Sequence, residues 1–175
     1  NPTMGEEWRR GWDPESIKPK KTDQKALVIG SGPSGLECSM QLARRGYHVT
    51  LAEADNKLGG RVLFESGLKG LSAWKRVSDN RLYEIQQKNN IEIYKESELT
   101  LSHINELGID NIFLATGSSW RKDGIGRSRR KPIQGLESLK VLTPEEAIKE
   151  SKNLSGPIVV YDDEQGYLAG VIADH

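Results

Sequence analysis

The sequence of 175 residues predicts an α/β fold, a parallel sheet with flanking helices. Three observations carry this. Two short apolar runs, "ALVIG" (Ala26–Gly30) and "HVTLAEA" (His48–Ala54), suit strands buried on both faces. Between them, "PSGLECSMQLARR" spaces its apolar residues as a helix does. The three segments together span about 30 residues, the length of one crossover unit, which pairs its strands in parallel and turns right-handed.

Each element has a local reason. In the first helix Leu36, Met40 and Ala43 share a face, Arg44 and Arg45 meet the negative end of the dipole, and Gly46 suits the left-handed closing residue. "SAWKRVSDNRLYEIQQKN" predicts a helix with Ser72 as N-cap and Trp74, Val77, Leu82 and Ile85 on one side. "IEIYKE" (Ile91–Glu96) alternates as a half-covered strand does, Leu101–Leu107 predicts a short helix, and "NIFLATG" (Asn111–Gly117) predicts another buried strand. Residues 118–140 read as a solvated loop rich in Arg127, Arg129, Arg130 and Lys131. Thr143-Pro144-Glu145-Glu146 has the pattern of a capping box opening a helix. "IVVYDDEQGYLAGVIADH" (Ile158–His175) predicts a buried strand, a turn and the start of a helix.

Composition narrows the function classes. Lys+Arg and Asp+Glu both count 25, so no global field favours nucleic acid or an anionic membrane. No apolar run approaches the roughly 18 residues of a membrane span. A single cysteine, Cys38, excludes an internal disulfide and an intrachain Cys-cluster metal site. It lies on the first helix and reads as a small buried hydrophobe. A cytoplasmic protein follows as the expectation. The chain begins at Asn1 and stops within a helical pattern at His175, which predicts a piece of a larger protein. Residues 1–24 read as a polar arm, with Trp8 and Trp12 packed either on another part or as an amphipathic turn on this domain; 25–155 form the main domain and 156–175 begin a second.

The chemistry lies in "GSGPSG". Gly30, Gly32 and Gly35 fall between a predicted strand and a predicted helix, the context a dinucleotide turn needs. The first glycine permits the tight turn, the second lets a pyrophosphate approach the backbone, and the third lets helix and strand pack closely. Pro33 sits where a missing N–H costs little, and the helix N-terminus attracts phosphate. Glu53 closes the second strand, placed to accept hydrogen bonds from ribose hydroxyls and to disfavour a 2′-phosphate. Gly59 and Gly60 can bring a second backbone segment close, and Arg61 can neutralise phosphate. No Ser–His–Asp or paired-carboxylate arrangement stands out, and His48 and His103 lack metal-ligand partners at useful spacing.

Glu53, the Gly59-Gly60-Arg61 run and "ATG" (Ala115–Gly117) together resemble the two-dinucleotide-domain flavoproteins, whose FAD/NAD(P)-binding domains are Rossmann-like. The resemblance implies that Ala115, Thr116 and Gly117 line the FAD-type site, Thr116 and Gly117 beside the pyrophosphate and flavin linker, and that Leu99 lies near adenine. With Ser31, Ser34 and Ala54, these complete the candidate cofactor set. "NPTMGEEWRRGWDPE", "VLFESGLKGLSAW", "ATGSSWRKDG" and "VVYDDEQGYLAGVIAD" are similar to the C-terminal part of the trimethylamine, dimethylamine and histamine dehydrogenase group, with 2,4-dienoyl-CoA reductase more distant. That similarity implies FMN and a 4Fe–4S cluster N-terminal to this chain. It implies ADP or FAD within it, leaning to ADP because Trp120 stands where many FAD proteins have a smaller residue. It further implies an electron-transfer flavoprotein as acceptor, the rest of the same polypeptide as partner, and a homo-oligomer at full length. Two other readings stay open: an NAD(P)H-dependent flavin reductase of the dienoyl-CoA type, and a module that nucleotide merely staples together. In a working NAD(P)H domain, glycines would stand at Asp162, Glu164 and Tyr167. Their absence predicts a second domain without nicotinamide cofactor.

Overall fold

A computed structural model describes residues 17–175; the proposed packing of Trp8 and Trp12 lies outside the described residues. The chain divides into two units. One combines Val77–Thr116 with the chain up to Gly60; the other combines Arg61–Arg76 with Gly117–His175. Among the described residues no helix is long and apolar enough to cross a membrane.

The first unit holds a four-stranded sheet. Strands β1 (Ala26–Ile29), β2 (Val49–Ala52), β3 (Ile91–Tyr94) and β4 (Asn111–Leu114) lie in the order β3-β2-β1-β4. Every pairing is parallel, with Ala26 opposite both Val49 and Asn111. The expected parallel α/β fold is therefore what forms. Helix α1 (Pro33–Arg44) buries Leu36, Met40 and Ala43 as its period predicts, and Gly46 takes the left-handed conformation just past its end. These side chains pack with Ala26, Val28, Val49, Leu51 and Ile85 into one core. Cys38 is only partly buried against that core, and burial pushes its thiol pKa up.

Three expectations change here. Ser72 is the first residue of a 3-10 turn, Ser72–Trp74, not an N-cap; Leu71 caps it without a side-chain bond. In helix α3 (Lys75–Gln86), which follows α2 (Val62–Glu65), Ile85 is buried and Leu82 packs half-buried against the core as expected, but the other buried residue is Ser78, and Trp74 is exposed. A seven-residue separation, two full turns, makes that buried face narrower than the apolar pattern implied. Strand β4 forms but is not buried, and Leu114 is 74% exposed. Among the described residues it pairs on one side alone, with β1. An apolar run specifies capacity to pair; coverage depends on neighbours. β3 does alternate between half-buried and exposed residues.

The second unit has no strand among the described residues. Ile158–Tyr161, expected as a buried strand, has no strand pairing, and Val159 is 90% exposed. Helix α4 (Leu101–Leu107) belongs to the first unit and has the expected bounds. In the second, α5 (Pro144–Glu150) opens with the expected capping box: Thr143 accepts from the Glu146 N–H while Glu146 accepts from the Thr143 N–H. Helix α6 (Tyr167–Asp174) stacks Tyr167 on Trp74 at 5.7 Å.

Candidate nucleotide site

The turn between β1 and α1 is built by close backbone approaches. Gly30 has φ +98°, and a Cβ on it would lie 2.4 Å from the Ala115 carbonyl oxygen. A Cβ on Gly35 would lie 1.9 Å from the Gly30 carbonyl oxygen, so this residue sets how closely α1 meets the sheet. Gly32 is different. A Cβ there meets nothing within 4 Å, and its backbone is extended, with φ −64° and ψ 177°. It caps α1 without a side-chain bond, and the first helical bond runs from the Leu36 N–H to the Gly32 carbonyl. The earlier N–H groups, of Ser34 and Gly35, stand outside the helical ladder and suit an anion.

Glu53 lies just past β2 and is held from three sides. Its Oε2 accepts from the Ser31 N–H (2.7 Å) and the Ser31 hydroxyl (2.5 Å), and its Oε1 accepts from the Asp55 N–H (3.0 Å). Partial burial pushes this carboxyl up. The bonds from Asp55, Ser31 and Ala54 outweigh that and hold it below the usual glutamate range. It is therefore an anion at neutral pH. The glycine pair also reaches the turn: the Gly59 N–H donates to the Ser31 carbonyl (3.0 Å), and a Cβ on Gly60 would lie 2.9 Å from Gly32 Cα. Ala115 N–H donates to the Ile29 carbonyl (2.8 Å), which places the start of "ATG" beside Gly30. Leu99, half-buried, follows Ser97, whose N–H donates to the Glu53 carbonyl (2.8 Å). Thus Gly30–Gly35, Glu53, Ala54, Gly59, Gly60, Leu99, Ala115 and Thr116 all belong to the first unit.

Arg61 and Gly117 belong to the second. There the Arg61 guanidinium pairs with Glu145 (2.9 Å), donates to the Ser118 carbonyl (2.7 Å) and lies 5.4 Å from the centre of the Trp120 ring. Its charge already has a carboxylate partner, which sequence could not reveal because Glu145 is distant in the chain.

The acids after Ile158–Tyr161 do not cap the helix that follows: α6 is capped by Gly166 without a side-chain bond. Asp162 accepts from the Gln165 N–H (2.9 Å), closing its own turn. Asp163 accepts from the N–H groups of Arg127 and Ser128, the Ser128 hydroxyl and the Tyr161 hydroxyl. The Ser128 hydroxyl leads these in holding its carboxyl below the usual range. A cavity of about 590 Å³ in this unit, lined by Arg121, Lys122, Ile133, Leu136, Leu139 and Val141 among others, contains no candidate nucleotide residue. Its cations are paired already, Arg121 with Asp123 and Lys122 with Glu146.

A parallel sheet, a glycine turn onto a helix and an acid after the second strand define a Rossmann-like dinucleotide-binding protein of the FAD/NAD(P) class. The chain belongs to the pyridine nucleotide-disulphide oxidoreductase family, whose model matches residues 5–66 and 24–160. It is 34% identical to dimethylamine dehydrogenase of Hyphomicrobium sp. (strain x), over 99% of this chain and 25% of that protein. Histamine dehydrogenase from Rhizobium sp. 4-9 superposes with a TM-score of 0.91 at 47% identity, over 99% of this chain and 26% of that one. The 6-hydroxypseudooxynicotine amine oxidase from Pseudomonas geniculata N1 gives 0.88 at 41% identity, with the same coverage. The expected resemblance to this group of oxidoreductases therefore holds. The chain spans about a quarter of the length of these relatives.

Proposed function

We propose that the turn at Gly30–Gly35 binds an adenine nucleotide within a larger iron–sulfur flavoprotein that oxidises an amine or N-methyl compound. The observation that supports this most is the contrast among three glycines. Gly30 and Gly35 are crowded by protein backbone, whereas the space before Gly32 is open. Those residues fit a pyrophosphate at the N-terminus of α1, with Glu53 taking ribose. FMN and a 4Fe–4S cluster, elsewhere in the full-length protein, would supply the redox chemistry. This chain's residues bind and orient nucleotide. Of the two nucleotides we favour ADP, because Trp120, with the Arg61 guanidinium against its ring, stands in the loop after "ATG" where many FAD proteins have a smaller residue. Nucleotide extracted from the full-length protein should then contain one ADP for each FMN by mass and absorbance. One FAD for each FMN would reverse this choice.

The same reading sends electrons to a protein acceptor such as an electron-transfer flavoprotein, in a cytoplasmic homo-oligomer. Asp162 and Asp163 support it. Like charges about 4 Å apart repel by roughly 4 kcal/mol at an effective dielectric of 20, more than the 0.3–1 kcal/mol a helix dipole returns. Stopped-flow mixing of the oxidised full-length protein with NADH or NADPH should leave the flavin absorbance unchanged. Rapid, saturable bleaching would favour the flavin-reductase reading instead.

A further inference from the structure

A carboxylate offers about four acceptor directions on its two oxygens. At Glu53 three of these are filled by donors with hydrogen-bond geometry: two on Oε2, from the Ser31 N–H (2.7 Å) and hydroxyl (2.5 Å), and one on Oε1, from the Asp55 N–H (3.0 Å). The Ala54 N–H favours the charged form without meeting that geometry. Two of the three bonds come from main chain and would be available whatever side chain stood there. The hydroxyl is specific to serine. Ser31 is wholly buried, so its bond to Oε2 is shielded from water, and its carbonyl is fixed as well, by the Gly59 N–H at 3.0 Å. One small residue thus ties together the phosphate turn, the acid and the glycine pair.

The geometry points to Ser31 as the positioning residue for ribose recognition, its hydroxyl saturating Oε2 and leaving Oε1 as the single acceptor for one hydroxyl of an adenine nucleotide's ribose. This rests on the nucleotide reading proposed above. Two ribose hydroxyls could both bond to Glu53 only by displacing a donor that already has good geometry. Recognition of the diol is therefore asymmetric: one hydroxyl is bound by the anion and the other is not.

Full-length protein freed of nucleotide, titrated calorimetrically with ADP, 2′-deoxy-ADP and 3′-deoxy-ADP, tests this. One deoxy analogue should bind about tenfold or more weakly, as loss of a charge-assisted hydrogen bond requires, while the other stays within about threefold of ADP. Ser31→Ala should weaken ADP binding and bring the two analogues to within about threefold of each other. It should also move the acid limb of ADP affinity to higher pH. Removing a donor to the charged form raises the carboxyl's pKa, so protonation, and with it loss of binding, begins earlier as pH falls. If the unaltered protein binds no ADP, the nucleotide reading itself fails. If ADP binds but both analogues behave alike, or Ser31→Ala discriminates and titrates like its parent, the role of Ser31 fails while the nucleotide reading stands. Should the alanine variant not fold, the analogue comparison on the unaltered protein decides alone.

Discussion

Alanine at Gly35 is expected to destabilise the nucleotide unit by about 3 kcal/mol or more, while alanine at Gly32 should leave its stability within about 1 kcal/mol. The two residues stand three apart in one turn, yet their surroundings are opposite. A methyl on Gly35 would lie 1.9 Å from the Gly30 carbonyl oxygen and 2.9 Å from its carbon, both backbone atoms that cannot swing aside. Relief would require α1 to lift from the sheet, taking Leu36 and Met40 out of the core they share with Val28 and Leu51. A methyl on Gly32 meets no protein atom within 4 Å, and φ −64°, ψ 177° is open to any L-residue. Its cost appears only with ligand, because the methyl occupies the space a pyrophosphate needs. Denaturant unfolding and ADP titration of both variants separate the two effects. Equal stability losses, or a Gly32→Ala protein that binds ADP like its parent, would remove the basis for the phosphate assignment.

Replacing Glu53 by Gln should lower adenine-nucleotide affinity by roughly 10- to 100-fold, the equivalent of about 1.5–3 kcal/mol. Glutamine has nearly the same shape but only one acceptor oxygen. Three protein donors converge on the native carboxylate, so the amide NH₂ would face at least one of them. Dialysis followed by nucleotide quantification reads the result; undiminished occupancy would mean that ribose is held elsewhere. The variant also has a pH signature. Because the folded protein holds the Glu53 carboxyl below its ordinary range, this group contributes stability above that range and loses it as pH falls through the lowered value. The Gln variant should show a flatter loss of stability on the acid side, seen in thermal midpoints taken across that range.

The candidate site was more legible in the sequence than the outer parts of the fold. Glycines required by backbone approach leave a spacing that nothing else explains, so Gly30, Gly35 and Gly60 could be read before any coordinates, and the structure crowds each of them. The capping box at Thr143 was legible because both its bonds join residues three apart. Ser31 could be placed in the turn but not given its bond to Glu53, since that contact spans 22 residues. The bonds from Arg127 and Ser128 to Asp163 were hidden for the same reason, at separations of 36 and 35. Apolar runs misled where they imply coverage. Val28 in β1 is wholly buried between two paired strands, whereas the equally apolar Leu114 lies at an edge and Val159 pairs with nothing. Sequence records the propensity of a segment; the neighbours that satisfy it are distant in the chain.

Strand β4 has a practical consequence for handling the isolated chain. Among the described residues nothing pairs with its outer edge, which presents N–H and C=O groups beside exposed Ile112, Phe113 and Leu114. No proline or lysine interrupts Asn111–Leu114, and these are two of the devices by which edge strands resist joining other molecules. Concentrated on its own, the chain has a template for strand addition between copies, and growth from that edge would draw molecules into β-rich aggregates without unfolding the glycine turn. A lysine at the centre of the edge, Phe113→Lys, is the substitution that would blunt it.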